Sequence, residues 1–236
     1  MQFLTCAAVS AAQRQRPIQR IIGPQRQVRA ALDEMNIASD ALQLDEPEYL
    51  YSLRLSDLKV PPKLQSGEWQ GRLMQTDDVE LMTRWRVGFS LETMGETESP
   101  ALWQQMRDGV ERYFLRLGRV WILEAGDQPV ATSAFNTTTA EIVQVGGVWT
   151  PPELRRRGYG RAAVAASLLA VRNEGAHKAI LFTGEENIPA QKAYEGLGFT
   201  HIGDYRITLL KEPFLPQTSY CLGPTRVRSL LVSQRP

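Results

Sequence analysis

The chain of 236 residues contains little of what builds disulfide frameworks or metal centres, since it has only two cysteines and two histidines. Cys6 and Cys221 lie near opposite ends without metal-ligand spacing, so we expect free thiols in a reducing compartment rather than a disulfide. His177 and His201 lie next to predicted strands without a nearby nucleophile or ligand pattern, and we interpret both as structural. The sequence therefore predicts no metal site.

Long apolar segments and an excess of one charge are also absent. No apolar run reaches the roughly eighteen residues that a membrane-spanning helix needs. Residues 3–12 are apolar but follow no basic segment, so a cleaved signal peptide is the less favoured interpretation of this stretch. The net charge of +1 gives no reason to expect nucleic acid or an anionic membrane as a partner. We therefore expect a cytoplasmic protein, whose hydrophobic content of 43% is sufficient for a core.

The most informative segment is a basic run with two glycines, Leu-Arg-Arg-Arg-Gly-Tyr-Gly-Arg, which extends from Leu154 to Arg161. A predicted strand at residues 141–149 precedes it, and a predicted helix from Gly158 to about Glu174 follows. The first N–H groups of a helix lack intrahelical partners and lie at the positive end of the helix dipole. Because glycine lets the main chain approach an anion closely, this order predicts a phosphate or pyrophosphate site.

Two blocks of the sequence resemble motifs of the GNAT superfamily of N-acetyltransferases. The pattern Arg155-x-x-Gly158-x-Gly160 is similar to the acyl-CoA signature of that family, Gln/Arg-x-x-Gly-x-Gly/Ala. Residues 187–199 resemble a later motif, in which an asparagine and an alanine precede the tyrosine of a short helix, and a glycine and a phenylalanine begin the next strand. The two blocks stand in the family's order and at its usual separation, so the resemblance is specific.

The resemblance implies that acetyl-CoA is the cosubstrate and that main-chain N–H groups of the basic run hold its pyrophosphate. The end of the preceding strand would pair with the pantetheine arm, and one N–H there would polarise the thioester carbonyl. Asn187 would bond the arm, and Tyr194 would stand near the sulfur as general acid. The residues that the resemblance assigns to acetyl-CoA binding are Val148, Trp149, Thr150, Arg155, Arg156, Arg157, Gly158, Tyr159, Gly160, Arg161, Asn187 and Ala190.

The sequence assigns no general base. Gln144 falls where histone-type members of the family have a glutamate, and a glutamine can position a water molecule but cannot accept the proton. Glu141, three residues earlier in the same predicted strand, points to the opposite face. Glu92 and Glu96 lie in the loop after the first predicted helix, where the family usually forms its acceptor site. We therefore expect a proton transfer relayed by water.

The resemblance implies an enzyme that moves an acetyl group from acetyl-CoA to a primary amine by direct attack in a ternary complex. The acceptor, and whether two chains pair as a homodimer, stay open. A non-catalytic acyl-CoA-binding or regulatory module is the alternative, because a base is missing. A nucleotide-cofactor oxidoreductase is a third interpretation, since Gly158-x-Gly160-x-x-Ala163 also matches the dinucleotide fingerprint, but residues 151–157 separate the strand from the first glycine. A purely structural helix start is a fourth.

The predicted elements form an α/β domain. Helices at 77–88 and 99–118 precede three meandering strands, after which the glycine helix, a strand at 179–183, the short helix and a strand at 200–210 follow. Asp77 with Glu80 predicts a capping box for the first helix, and Ser99 predicts the N-cap of the second. The succession resembles the family's mixed, mostly antiparallel central sheet flanked by helices, with a splay between the fourth and fifth strands.

Three segments are predicted along the chain: a small N-terminal α/β extension (1–66), the GNAT acetyltransferase domain (67–210) and a loose or docked C-terminal tail (211–236). The extension has a strand–helix–strand order like that of residues 181–210, with Arg29 at the position of Tyr194. It is interpreted either as a degenerate half-GNAT unit or as an unrelated addition. Three aromatic residues are interpreted as core rather than as an acceptor pocket: Trp85, Phe89 and Trp103.

Overall fold

The computed structural model describes residues 17–114 and 118–215. The predictions for Cys6, Cys221, the apolar stretch at 3–12 and the tail beyond residue 215 fall outside the described residues. Within the described ranges, no helix is long and apolar enough to cross a membrane.

Eight strands form one mixed, mostly antiparallel sheet and hydrogen-bond in the order β1-β8-β2-β7-β6-β5-β4-β3. Their bounds are β1 Ile18–Pro24, β2 Leu42–Arg54, β3 Trp69–Leu73, β4 Val120–Ala125, β5 Gln128–Thr138, β6 Ile142–Trp149, β7 Lys178–Gly184 and β8 Thr200–Phe214. The pairs β3–β4, β4–β5 and β5–β6 are antiparallel, whereas β6 and β7 are parallel. The predicted α/β class, a GNAT-type mixed sheet flanked by helices, is confirmed.

Six α-helices accompany the strands in the described part of the chain. They are α1 Gln25–Glu34, α2 Pro62–Gln65, α3 Val79–Thr93, α4 Pro100–Gly109, α5 Tyr159–Asn173 and α6 Ile188–Glu195. A parallel pair such as β6 and β7 needs a crossover connection, and α5 supplies it. The loop at the start of α5 therefore follows directly after the end of β6.

The chain divides into two compact units. The described part of the first, the terminal unit, comprises residues 17–50, Gly184–Glu186 and 203–215. Its buried Arg206 lies 2.6 Å from a carboxylate oxygen of Asp45, and Asp45 also pairs with Arg29 at 3.3 Å. Arg29, at the position that the repeat interpretation matches to Tyr194, thus has a structural ion pair. The second, the motif unit, comprises Tyr51–Thr183 and Asn187–Ile202.

The motif unit has a core on each face of its sheet. On one face, which we call the α3 face, the buried side chains of the cluster are Val79, Met82, Trp85, Val110, Val120, Ile122, Ala134 and Trp149. On the other, the α5 face, they are Trp69, Leu123, Val130, Ala131, Ala162, Ala163 and Ala166. Adjacent residues of β4, Ile122 and Leu123, serve opposite faces as the strand pleat requires.

The first predicted helix differs from the structure at both ends. The residue at the N-cap position is Asp78, not Asp77, and its side chain makes no cap bond to the α-helix. Its carboxylate instead accepts the Gln75 N–H at 2.7 Å, within the capping box of the preceding 3-10 turn, and binds the Arg72 guanidinium through both oxygens. Gly88 does not end the helix, which continues to Thr93. A Cβ at Gly88 would lie 3.1 Å from the Trp149 ring, so the absence of a side chain here lets the indole pack directly against the helix.

The second predicted helix starts as expected and ends differently. Ser99 Oγ accepts the Leu102 N–H at 3.2 Å, with Pro100 at the first helical position, which confirms the N-cap. The α-helix stops at Gly109 rather than at Gly118, because a π-helical turn, Val110–Phe114, replaces its hydrogen bonding.

The last strand is longer than predicted. It continues beyond residue 210 to Phe214 because β1 provides an antiparallel partner there, with Ile18 opposite Phe214. Residues 211–214 thus belong to the sheet and not to a loose tail. The division of the chain at residues 66 and 210 stays a prediction.

Candidate active site

The parallel strands β6 and β7 separate at the centre of the motif unit. Ile142 faces Lys178, Val143 faces Ala179 and Gln144 faces Ile180, and the ladder ends there. Residues 145–149 of β6 and 181–184 of β7 continue past the last pair. The separation leaves main-chain edges exposed to an extended ligand, as in the splay that the resemblance implies.

A bulge in β6 lies beside this separation. Ala134 pairs with Gly146 and Thr132 pairs with Trp149, so β6 has one residue more than β5 over this stretch. Gly147 takes the positive φ of +58° that the bulge needs. The extra residue reverses the alternation of the strand: Val148 faces Gly160 of α5, while Trp149 packs in the core of the α3 face.

The loop before α5 contains two residues with left-handed backbone conformation. Arg156 and Gly158 both have positive φ, +63° and +87°, and Gly158 is the N-cap of α5 without a side-chain cap bond. A run that includes left-handed residues turns successive N–H groups to one side, as in backbone anion sites. A Cβ at Gly160 would lie 3.2 Å from Thr150 Oγ1, so this glycine lets the helix start close to the strand end.

Arg155 attaches this loop to the rest of the site. Its Nη1 and Nη2 donate to the two carboxylate oxygens of Glu92 at 2.8 and 2.6 Å, and its Nε donates to the Thr150 carbonyl at 3.0 Å. The guanidinium also lies 4.8 Å from the centre of the Trp149 ring. The hydrogen bonds that Arg155 donates to the Glu92 carboxylate raise the pKa of Arg155. The side chain thus holds the loop, a role that the sequence motif does not reveal.

The other residues of the basic run have different surroundings. Tyr159 packs edge-on against Trp69 with ring centres 4.9 Å apart, which anchors the start of α5 to β3. Arg156 and Arg157 are exposed, and Arg157 Nη2 donates to the Glu153 carbonyl oxygen at 3.5 Å. The side chains of the second and third arginines of the run are therefore accessible from solvent.

The second motif forms α6 and its two caps. Asn187 Oδ1 accepts the Ala190 N–H at 3.2 Å, so Asn187 is the N-cap of this helix. Tyr194 is half-buried, and its ring lies 6.0 Å from that of Phe199. The N–H of Phe199 donates to the Tyr194 carbonyl at 3.1 Å, and Gly198 has a φ of +99°, which ends the helix.

Arg161 connects the two motifs. A Cβ at Gly196 would lie 3.1 Å from Arg161 Nη1 and 3.1 Å from the Lys192 carbonyl oxygen. The guanidinium therefore sits at the C-terminal end of α6, where the helix dipole favours a cation. Glycine at position 196 keeps this space open.

Two acidic residues near the site, Glu92 and Glu96, bind other side chains, and a third, Glu141, lies just before β6. Glu92 belongs to the last turn of α3 and binds Arg155, so the expectation of a loop position was wrong. Glu96 accepts the Ser90 hydroxyl at 3.0 Å. Glu141 is exposed just before β6, and Gln144 lies at the last pair of the parallel ladder. Within residues 17–114 and 118–215, no group of three or more His, Cys, Asp or Glu side chains is arranged to hold a metal ion.

Two polar residues near the bulge were missed by the sequence argument, Arg86 of α3 and Asn136 of β5. The pair Gly146-Gly147 inside a predicted strand was the available signal, because adjacent glycines there indicate a bulge or a close approach of other groups. Of the aromatic residues, Trp85 is core as expected, Phe89 is partly buried beside it, and Trp103 Nε1 donates to Glu98.

Comparisons with known proteins agree with this geometry. The family model described as the acetyltransferase (GNAT) family matches residues 83–199. No curated protein sequence matches the chain significantly.

Solved structures show the same fold. A GCN5-related N-acetyltransferase from Kribbella flavida is 18% identical with a TM-score of 0.56, and the match covers 86% of this chain and 72% of that one. A Staphylococcus epidermidis protein of unknown function is 12% identical with a TM-score of 0.58, covering 82% and 73%. A protein from Novosphingobium aromaticivorans assigned to the GNAT acetyltransferases is 21% identical with a TM-score of 0.51. That match covers 72% of this chain and 66% of the Novosphingobium protein, which is just under two thirds of that protein's length. Through residues 83–199, the chain belongs to the acetyltransferase (GNAT) family.

Proposed function

We propose that this protein is an acetyl-CoA-dependent N-acetyltransferase that moves the acetyl group to a primary amine by direct attack in a ternary complex. The observation that carries the proposal is the separation of β6 from β7 beyond Gln144 and Ile180, with a turn of left-handed residues at the start of α5 next to it. An extended pantetheine arm fits such a gap, and the turn fits the pyrophosphate at its end. A cytoplasmic location, the absence of a nucleic-acid partner and the question of a homodimer stay predictions.

The residues present suit acetyl-CoA. Main-chain N–H groups of residues 156–161 would hold the pyrophosphate, with Arg156 and Arg157 adding positive charge from the exposed side. Val148, Trp149 and Thr150 would pair with the pantetheine along the free edge of β6. Asn187 uses its side-chain oxygen as a cap, so its amide nitrogen is the group that would bond the arm, and Ala190 would pack beside it.

The reaction needs three things from the protein once the thioester supplies the acetyl group. The amine nitrogen forms a bond to the carbonyl carbon, and charge develops on the carbonyl oxygen, which a main-chain N–H of the bulge would stabilise. The carbon–sulfur bond then breaks, and Tyr194 would give its proton to the leaving thiolate. The ammonium proton leaves through water that Gln144 positions.

The first experiment is thermal unfolding with acetyl-CoA, CoA and NAD(P)H in parallel. We expect stabilisation by the two CoA compounds alone, since a ligand that binds the folded state raises the unfolding midpoint. A shift with NAD(P)H alone would favour the dinucleotide interpretation. No shift with either CoA compound would contradict the pyrophosphate assignment. Thiol release with a panel of primary amines then tests the transfer itself.

Tyr194→Phe tests the general acid. We expect kcat to fall about 10²- to 10⁴-fold, as removal of a general acid does, with CoA binding unchanged. Tyr49→Phe, a tyrosine of the terminal unit, is the matched control and should keep full activity. Unchanged turnover in Tyr194→Phe would exclude the role.

A non-catalytic acyl-CoA-binding module is the second candidate, favoured by the engagement of Glu92 with Arg155 and of Glu96 with Ser90. It predicts CoA-induced stabilisation without thiol release for any amine. The same panel of amines therefore separates the two functions.

A further inference from the structure

A half-buried arginine of α3, Arg86, lies on the α3 face beside the bulge of β6. A Cβ at Gly147 would lie 4.0 Å from Arg86 Nη1 and 3.4 Å from the Ala134 Cβ. The guanidinium carbon lies 4.8 Å from the centre of the Phe89 ring. Burial lowers the pKa of Arg86, but a guanidinium keeps its proton at any physiological pH. The protein thus maintains a partly desolvated cation next to the strand end.

Asn136 brings a second polar group to the neighbouring residue of the bulge. A Cβ at Gly146 would overlap the side-chain amide of Asn136, so only glycine lets this amide lie on the strand there. Gly146 pairs with Ala134, and Ala134 is also the neighbour of Gly147. A side chain at either glycine would therefore point to the α3 face. At Gly146 this space is taken by the Asn136 amide, and at Gly147 it lies beside the Arg86 guanidinium.

Aromatic rings lie next to this end of α3, and two carboxylates that follow Phe89 in the chain bind other residues. Phe89 packs edge-on against Trp149 with ring centres 5.9 Å apart. Glu92 binds Arg155, and Glu96 accepts from Ser90. A guanidinium beside apolar rings favours an anionic group on the ligand over a second cation.

We propose that Arg86 and Asn136, above Gly146 and Gly147, form a subsite for a carboxylate of the acceptor, so that the substrate is an amine that also carries a carboxylate. This proposal rests on the proposed acetyl transfer. A guanidinium matches the two oxygens of a carboxylate with parallel N–H donors, and an amide adds another donor. The subsite adjoins the strand end at Val148 where the thioester carbonyl would lie, so a short acceptor held there can reach it with its amine.

The test compares amines that differ only in the anionic group: glycine with glycinamide, β-alanine with β-alaninamide, and 4-aminobutyrate with its amide. Dissociation constants come from thermal unfolding of the full chain, with and without CoA, and kcat/KM from thiol release with acetyl-CoA. We expect at least one carboxylate to bind about tenfold or more tightly than its amide, the range of a charge-assisted hydrogen bond. Arg86→Met should remove the preference, Arg86→Lys should retain part of it, and KM for acetyl-CoA should not change.

Arg84→Met is the matched control, because Arg84 is an exposed arginine of the same helix, and it should keep the preference. Equal constants for acid and amide in every pair, or no binding of either, would overturn the carboxylate subsite. The comparison within wild-type protein decides this even if Arg86→Met fails to fold. Failure of the proposed function would instead appear as CoA binding without thiol release, whatever the preference between acid and amide.

Discussion

Arg155 is a residue of the acyl-CoA signature whose side chain is engaged within the protein. Its three donor nitrogens bind Glu92 and the Thr150 carbonyl, and its face covers the Trp149 ring. The main chain that follows is the part that would meet the ligand. The arginine therefore acts as a positioning residue for the loop. We expect it to contribute to the affinity for acetyl-CoA more than to the free energy of unfolding.

Breaking this contact should weaken acetyl-CoA binding. We expect Glu92→Gln and Arg155→Lys each to lower the affinity about 3- to 10-fold, and the double variant to be no worse than either, because both remove one contact. The loss of unfolding free energy should stay below about 1 kcal/mol, since the pair is partly exposed. Titration calorimetry and urea unfolding measure the two effects. Glu111→Gln, which breaks the Arg107 pair on α4, is the control; additive losses in the double variant would contradict the coupling.

Glu48 of β2 is a partly buried carboxyl with a raised pKa. Burial raises the pKa of Glu48 from 4.5 to about 7, and the charge of the neighbouring Glu46 adds to the rise. The folded state thus favours the protonated acid, whose contribution to stability is present below pH about 4.5 and is lost as the pH rises through about 7.

Glu48→Gln should make the protein more stable than wild type at pH 8 and equal to it near pH 4, because glutamine resembles the protonated acid. Urea unfolding at several pH values measures the difference. The exposed Glu34→Gln should show no such trend. A constant difference between Glu48→Gln and wild type across this range would mean that the carboxyl titrates normally.

At the level of elements, the helices on the α3 face show which signals are local. The Ser99–Pro100 start of α4 was predicted from sequence because a cap needs only three or four consecutive residues. The N-cap of α3 was predicted one residue too early. The carboxylate at this position, Asp78, binds Arg72 of β3, and a contact with another element cannot be predicted from the local sequence. The extension of α3 past Gly88 likewise depends on Trp149 of β6.

Removing the cap of α4 should cost stability. Ser99→Ala leaves the Leu102 N–H without its acceptor, and we expect a loss of about 1 kcal/mol in the free energy of unfolding. Thr97→Ala, an exposed residue just before the helix, is the control and should change it by less than about 0.5 kcal/mol. Urea unfolding distinguishes them; equal effects would mean that the cap bond does not contribute.

At the scale of the whole molecule, the N-terminal part of the chain builds the motif unit. The segment after β2 is bound by main chain, since the Leu55 N–H donates to the His177 carbonyl at 2.8 Å and the Lys59 N–H to the Leu197 carbonyl at 3.0 Å. Four side chains of this segment and of the end of β2 are 9% exposed or less: Tyr51, Leu53, Leu55 and Leu58. Each such side chain contributes about 1.5–3 kcal/mol on burial.

A chain that begins at Gly67 should therefore fail to fold cooperatively. Together the four side chains contribute roughly 6–12 kcal/mol, which is comparable with the net stability of about 5–15 kcal/mol of a whole domain. Circular dichroism in urea measures the transition. Leu55→Ala in the full chain should lose about 2–5 kcal/mol, whereas the exposed Leu215→Ala should be neutral. A cooperative transition of the shortened chain at the wild-type midpoint would support an independent domain from residue 67.

The sequence by itself determined the features whose causes are local. The order of strand, basic loop, glycine turn and helix, the cap at Ser99, and the assignment to the GNAT acetyltransferases all depend on residues close together in the chain. The physical reason is that φ preferences, cap bonds and pleat alternation act over a few residues.

Only the tertiary structure decided what depends on distant partners. The contact of Arg155 with Glu92, the insertion of β2 between β7 and β8, and the placement of Arg86 beside Gly147 each join residues far apart in the chain. Strand order and bulge position decide which side chains share a face, and a change of one residue in the bulge would reverse it. The chain thus encodes the glycine turn locally, while the fold assembles the surface that would select the acceptor.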